Sequence, residues 1–595
     1  MFSVMLSILY TCVFYSALFF ICRYFLTRSN GVSAVAQSPD TGSCVKYDWA
    51  IAFSVYFLFT LLYFYPCLSS MGSSLIGPPE DNMEHFWTMW WMRQVASEPQ
   101  AHLSYSRFIY YPQGTWLLYH AYSFYNLFFS LPLAKIFNPV AAYNVLVLHS
   151  FIVSGLGAFL LIRYLVKSSL VALIGGFIFA FNPSHCAHSL HHIGEMSIQF
   201  IPFFVLFFIK ALKNNSRKDL IFACIFFLLS SLCSFYHFLF SAVFIVLGYG
   251  YLALKKKRIF LKTTLVRSAI VIGFTTLVLS PWILKMAQIR GRYPGIETYE
   301  GVNIYVADLL GFIVPHPFHL AGGLKALRNL NAQLSGNDWE KTAYLGIVNI
   351  AIILFAFKRT ARAAAKYFLG LFSFMIVAMG ALVHVAGKAI PVYLPYYAFQ
   401  FIPFISVART PSRAIVYAYL FLAIIVAFSL KRIHEAMKTS SARRIVFIAL
   451  SVFLFLDYFS VCRSVTPVQL PQCYGVIQKG REEFGILDMP GYYCANERYM
   501  MYQTLHGIPI VQGNVSRRAN KSLIDVLELN DLAAQKQQLI ENKVKYIVVH
   551  KDLFMHSNAS TQTQHAQWLE AVKYRTRQFY LLVYEDERNI VFKVY

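Results

Sequence analysis

Acidic side chains are scarce in this chain. Of 595 residues only 28 are Asp or Glu, and charged residues together make up 13%. So little charge excludes an acidic, disordered solvating polymer and a soluble globule with an ordinary charged surface. The ten cysteines are scattered without CxxC spacing, so neither a redox pair nor a thiolate zinc site is indicated. There is no Walker A sequence, no GxGxxG after a strand, no GxSxG, no HExxH and no kinase motif set. ATP-driven transport and nucleotide-dependent chemistry therefore have no support. No internal repeat is visible, and His149 and His237 are the only acid or base side chains in mid-span. A transport path through the membrane would need more.

What fills the chain is apolar: 57% hydrophobic and 17% aromatic. This composition specifies an all-α polytopic membrane protein, because backbone groups in lipid must be satisfied within helices. The formal charge of +24 does not indicate nucleic acid, since the cations sit in short clusters between apolar runs. Spans are expected at 4–26, 49–68, 139–162, 168–182, 196–209, 220–236, 238–254, 268–286, 342–357, 367–386, 414–430 and 445–462, about 11–12 in all. The turn Ser234-Phe235-Tyr236-His237 separates two of them. The stretch 4–26 has the shape of an uncleaved signal anchor. The segment 121–137 is read as a juxtamembrane or re-entrant helix.

The basic clusters fall on one side of this arrangement. They include Arg163 with Lys167, Lys210 to Lys218, Lys255 to Arg267, Lys358 to Lys366, and Lys431 to Arg444. Asp40, Asp48, Asp219 and Glu435 are the acids among them. The positive-inside rule makes this side cytoplasmic. Loops 69–138, 183–195, 287–341 and 387–413, and the tail, are then extracytoplasmic. Three units follow: an N-terminal extra helix and linker at 1–47, a membrane module at 48–463, and a small extracytoplasmic α/β domain at 464–595. In that domain 484–488 and 546–550 read as strands, 518–542 and 562–577 as helices, and the last sixteen residues as two strands around a charged turn. A Cys473–Cys494 disulfide is left open by the spacing.

Candidate chemistry gathers in the outer loops. Residues 50–79 carry no charge, and then Glu80, Asp81, Glu84 and His85 appear together, followed by Trp87, Trp90 and Trp91. Carboxylates at a membrane rim are costly to desolvate. The plain reading is a solvated helix end, with Asp81 as a cap, and an interfacial position for the tryptophans. The next loop, NPSHCAHSLHHIGE, holds His185, His188, His191, His192 and Glu195. On a helix, His185, His188 and His192 would share a face. Imidazole and carboxylate would suit zinc or manganese. The spacing matches no closed site, so no metal ligands are assigned and a divalent metal is kept open. Hydrogen bonding to a polar substrate or acid–base support is the alternative. Arg409 and Arg413 bracket Pro411 at a helix start; they either snorkel or clamp a phosphate.

The order of these motifs resembles the GT-C superfamily of polyprenyl-phosphate-sugar-dependent glycosyltransferases, and within it a poorly characterised bacterial multipass branch. The matching residues are Asp81 with Trp87 and Trp91; Tyr111-Pro112, Gly114 and His120; Phe181-Asn182-Pro183 with His188 and Glu195; Glu340 with Tyr344-Leu345-Gly346; and Arg409, Pro411 and Arg413. In the tail they run from Arg498 to Thr504, then His506-Gly507, Pro509, Gly513 and Ser516-Arg517. The resemblance covers about residues 48 to 595. It implies transfer of a sugar from a polyprenyl-phosphate donor to a lipid or glycan acceptor of the cell envelope, with inversion, on the outer side of the cytoplasmic membrane. Asp81 matches the general base, with Glu80 its rival, because many relatives have Gly-Asp where this chain has Gly77-Pro78-Pro79-Glu80-Asp81. Glu195 matches a second catalytic acid. His85, His120, His185, His188, Glu340, Arg409 and Arg413 are candidate substrate contacts, the arginines for the donor phosphate. An inverting transfer needs one base and positive charge at the departing phosphate, which agrees. Two other readings are a lipid-linked glycan transporter and an inactive glycan-binding or envelope-assembly relative.

Overall fold

The computed structural model describes residues 48–255, 258–296, 302–402, 405–460, 462–478, 482–491, 493–528, 531–554 and 576–595. The expected anchor 4–26, the linker to residue 47 and most of the expected helix 562–577 lie outside them. Among the described residues, six helices are long and apolar enough to cross a membrane: Asp48–Ser70, Pro139–Val166, Phe235–Leu254, Leu261–Arg292, Ile347–Ala378 and Pro411–Ala436. Pro139–Val166 and Pro411–Ala436 are the central pair, each 89% buried along its most apolar stretch. Asn138 begins the first of these by accepting a hydrogen bond from the Ala141 amide (2.8 Å), with Pro139 at the first helical position. The expected spans 168–182, 196–209 and 220–236 are helices at Ser169–Ala180, Ile201–Asn214 and Arg217–Cys233. Ser234 ends the last of these and caps Phe235–Leu254, at the expected turn.

Ile347–Ala378 is helical along 32 residues. Drawn out straight it would span about 48 Å. It cannot be straight, because both of its ends meet one short loop. The Leu345 amide donates to the Phe312 carbonyl (3.0 Å) and the Ala307 amide to the Ala378 carbonyl (2.9 Å). The Phe357 and Phe368 rings, eleven positions apart, lie 5.9 Å from each other. The chain therefore doubles back near the cations Lys358 to Lys366, giving two legs where spans 342–357 and 367–386 are expected. Phe124–Ile136, at 13 residues, is too short to cross and packs beside Pro139–Val166, with Tyr125 hydrogen-bonded to His149 (2.8 Å).

The C-terminal sheet has the order Gly485–Met489, Val544–His550, Asn589–Lys593, Leu581–Glu585. The first pairing is parallel and the other two antiparallel. All four strands fall at or near the expected positions. The helices do not. The expected helix 518–542 is helical only at Leu532–Glu541 and in a short turn at Leu523–Asp525, while Tyr493–His506 forms a helix that the periodicity did not mark. That helix is wedged between the sheet and the membrane module, so its burial is nearly all-round and carries no polar stripe. Cys473 and Cys494 are free thiols, one buried and one exposed.

Backbone pairing stitches this domain to the first loop. Ser74–Ile76 pairs antiparallel with Val465–Pro467. The Tyr111 amide donates to the Ile510 carbonyl (3.1 Å), and the Ile510 amide to the Phe108 carbonyl (2.8 Å). Inside the membrane module, small residues let helices approach closely. A Cβ on Gly155 would lie 2.6 Å from the Tyr56 ring, and one on Gly176 would lie 2.0 Å from the Tyr56 hydroxyl. Overpacking of this kind costs about 1–3 kcal/mol. Gly155→Leu should therefore lower the thermal midpoint of the purified protein, whereas substitution at Gly248, with nothing within 4 Å, should leave it near wild type.

Candidate active site

Four loops and one tail helix converge at a single end of the helix bundle. Gly77 sets the approach of the first loop to the histidine loop: its φ is +102°, and a Cβ there would lie 1.9 Å from the Leu190 carbonyl oxygen. Only glycine fits. Two residues of proline follow, and the helix Asp81–Ser97 begins. Asp81 does not cap it, as the plain reading expected. Glu80 occupies the cap position without a side-chain bond, and Asp81 is the first helical residue. Its carboxylate is therefore available to other partners.

The histidine loop is not one helix either. It breaks into Pro183–His188 and Ile193–Met196. The expected shared face of His185, His188 and His192 is thereby divided. His188 and His192 meet in the turn, Nδ1 to Nδ1 at 3.0 Å. His185 points away into the core: it stacks on Phe151 at 4.0 Å, and its ring nitrogens face the Ala180 carbonyl (2.5 Å) and the Ser150 hydroxyl (3.0 Å). This position holds the loop and contacts none of the site's acids. His85 and His120 are both buried. Burial brings His85 down to about 4 and His120 to about 3, so both are neutral. His120 Nδ1 lies 3.4 Å from Glu84.

Two linked clusters result. In the first, His192 Nε2 lies 2.9 Å from Asp81 Oδ2. Burial works against the imidazolium, but the Asp81 hydrogen bond and charge outweigh it and raise the His192 pKa. His188, fully buried, is held well below its ordinary value by burial and then by His192. When protonated, the ring can donate to Asp81 on one side and to neutral His188 on the other. Glu80 stands outside this pair, 3.3 Å from His191 Nδ1, which packs at 3.5 Å on Trp339.

The second cluster is centred on Arg413. Its Nη1 donates to Glu195 (2.7 Å) and its Nε to Glu340 (3.1 Å), while its guanidinium lies 4.8 Å over the Tyr236 ring. Ser412 donates to Glu340 (2.6 Å) and Ser234 to Glu195 (3.3 Å). Burial opposes ionisation of Glu195, but Arg413, and after it His192, hold its pKa below the ordinary value. His188 Nε2, 3.7 Å from Glu340, joins the two clusters. Arg409 lies apart: its guanidinium is 5.8 Å over the Tyr305 ring, and among the described residues it forms no ion pair.

Residues that the sequence reading left out complete the site. Asn514 donates to Glu84 (2.7 Å) and to Glu497 (2.9 Å). Glu497 comes from the tail helix beside Asp81. Burial, and then Asp81 and Glu84, push its pKa far above the ordinary carboxylate range. The one signal available was position, since Glu497 directly precedes the motif from Arg498 to Thr504. Among the described residues no group of three or more His, Cys, Asp or Glu has metal-binding geometry.

A carboxylate-rich, partly open site at one end of a membrane helix bundle, with a small mixed domain docked against it, has the fold of the GT-C membrane glycosyltransferases. The chain belongs to the family described as a domain of unknown function, DUF6311, whose model matches residues 52–457. Arabinofuranosyltransferase AftD from Mycobacteria is similar, with a TM-score of 0.53 at 14% identity over 87% of this chain and 36% of that one. ArnT from Cupriavidus metallidurans in the apo state has a TM-score of 0.51 at 10% identity over 92% and 98% of the two chains. The apo oligosaccharyltransferase of Archaeoglobus fulgidus has a TM-score of 0.50 at 12% identity over 91% and 74%. No curated protein matches.

Removing one partner of a buried ion pair costs about 3–5 kcal/mol, because the other charge is stranded. Arg413→Gln strands two, so a large fall in thermal midpoint is expected, and Arg409→Gln, with no such pair to break, should fall much less. The His192 pair carries a pH signature. A raised folded-state pKa stabilises fully below the ordinary value of about 6.5 and loses that contribution as pH rises through the raised value. Midpoint-against-pH curves of wild type and His192→Gln should therefore differ most in mildly acid solution and converge in alkali.

Proposed function

We propose that this protein is a membrane glycosyltransferase that moves a sugar from a polyprenyl-phosphate donor to a lipid or glycan acceptor of the cell envelope, with inversion, on the extracytoplasmic face. The observation that carries this reading is Asp81. It is a carboxylate about one quarter exposed (26%), fixed by His192, at the mouth of a site in which Glu195 and Glu340 are both paired with Arg413. Asp81 is thus the acid placed to take a proton from an acceptor hydroxyl as it attacks the anomeric carbon. Glu80 is the more exposed rival, at 40%, but it stands outside the His192–His188 chain.

The leaving group would be a phosphate, which departs as an anion and needs positive charge rather than an acid. Arg409 suits this role, because Arg413 is committed to two carboxylates while Arg409 has only the Tyr305 face beneath it. Glu195 then serves to orient Arg413 rather than to transfer a proton. We derive no step through a metal, since the carboxylates present are each held by histidine, arginine or amide partners. The positive-inside pattern supports the outward face. Lys210 with Asp219, Arg163 with Asp48, and Arg267 with Asn215 all cluster in the loops joining the opposite helix ends.

The test is transfer from a panel of radiolabelled polyprenyl-phosphate sugars to membrane extract. Loss of a general base costs about 100-fold or more. Asp81→Asn should lose at least that much while remaining folded, Glu80→Gln should retain most turnover, and Arg409→Gln should lose turnover with little loss of stability. Loss with Glu80→Gln alone would move the base by one residue. No transfer from any donor, with both acid variants complementing in cells, would refute the enzyme reading.

A further inference from the structure

Two carboxyl groups from separate parts of the chain touch at this site. Asp81 opens the first-loop helix, and Glu497 lies on the tail helix Tyr493–His506, which packs along it. Their side chains are within hydrogen-bonding contact of each other. Glu497 is fully buried, whereas Asp81 reaches the site mouth. One Glu497 oxygen, Oε1, accepts from Asn514 (2.9 Å). The other, Oε2, is sealed from solvent and, among the described residues, receives no hydrogen bond. A buried carboxylate oxygen without a donor is costly, and two carboxylates in contact cannot both ionise. A proton between them resolves both problems.

The charged and titratable groups around the pair favour that proton on Glu497. On the Asp81 side stands His192, whose ring lies 2.9 Å from the carboxylate and favours its anionic form, while His85 and His191 face it as neutral rings. On the Glu497 side stand the Glu84 carboxyl, itself pushed well above the ordinary carboxylate range by burial and then by Asp81, and the Cys494 thiol, also pushed up by burial, so neither offers positive charge to an anionic Glu497. Arg409 acts on Glu84 from farther away, and His120 faces Glu84 as a neutral ring.

We propose that Glu497 is a positioning residue for Asp81: its protonated carboxyl donates a hydrogen bond to the Asp81 carboxylate, so the C-terminal domain must be docked for the base to be set. This rests on the reading of Asp81 as the base. The aspartate is held from both sides, by His192 from the histidine loop and by Glu497 from the tail domain. Asn514 keys the contact by donating to Glu84 and Glu497 together, and Trp87 Nε1 donates to Gln503 (2.7 Å) one and a half turns farther along the same helix. Glu497 itself, sealed from solvent, touches no substrate.

The proton can be observed without any substrate. Infrared spectra of the purified full-length protein should show a carboxylic-acid carbonyl band that persists at neutral pH. In Glu497→Gln that band should vanish, and in Asp81→Asn it should titrate away at lower pH, because the neighbouring charge is gone. An unchanged band in Glu497→Gln overturns the proposal. So does a band in Asp81→Asn that titrates as in wild type. This outcome does not depend on whether a donor sugar is found.

With a donor that wild type uses, Glu497→Ala should lower kcat about tenfold or more with KM nearly unchanged, at an unchanged melting midpoint. Glu497→Gln, whose amide also donates, should recover most of that loss. It should also lack the fall in kcat at alkaline pH that ionisation of Glu497 imposes on wild type. Equal losses in the two variants, or an alkaline fall retained in Glu497→Gln, would reduce Glu497 to a packing role.

Discussion

The structure depends on one buried cation. Arg413, at the start of a central helix, is held by Glu195 from the histidine loop and Glu340 from the loop before Ile347–Ala378. Three stretches far apart in the chain are thus tied at the membrane rim. A guanidinium is suited to this, because its planar fork offers donors in two directions at once and stays charged at any physiological pH. The geometry also makes the arrangement brittle. Each carboxylate is desolvated, so each needs the arginine as much as the arginine needs them. Ser412, Ser234 and the Tyr236 ring satisfy what the ion pairs leave over.

Around this fixed centre the mouth of the site is less constrained. Asp81 sits at a helix start set by Gly77 and two prolines, pressed against the histidine loop. Neutral His188 sits between the Arg413 cluster and the His192–Asp81 pair, hydrogen-bonded to His192 and 3.7 Å from Glu340. The C-terminal domain supplies the remaining wall. Its docking rests on strand pairing to the first loop and on a helix whose buried polar residues, Glu497 and Gln503, each have a partner on the first-loop helix. The domain is therefore part of the site and not an appendage to it.

Much of the outer-loop chemistry was legible from the chain. Asp81, Glu195, Glu340 and Arg413 stand out because a charge beside a long uncharged run is conspicuous, and the structure brings all four together. His185 was equally conspicuous, yet it turns into the core, since a break at His188 divides the face that a continuous helix would have presented. Glu497 and Asn514 were passed over for the opposite reason. In a polar tail, one more acid or amide carries no contrast, and its meaning lies wholly in what it touches. The tail helix was missed because a helix buried nearly all round has no amphipathic period to read.

The sequence by itself determined that this is a helical membrane protein, which helix ends are basic, and that a small mixed domain follows. Those features are local: each follows from the hydropathy and charge of adjacent residues. Only the tertiary structure decided that Arg413 takes both Glu195 and Glu340, and that the tail domain closes on Asp81. Each of these joins residues tens to hundreds of positions apart, through hydrogen bonds whose geometry exists only once the helices have packed.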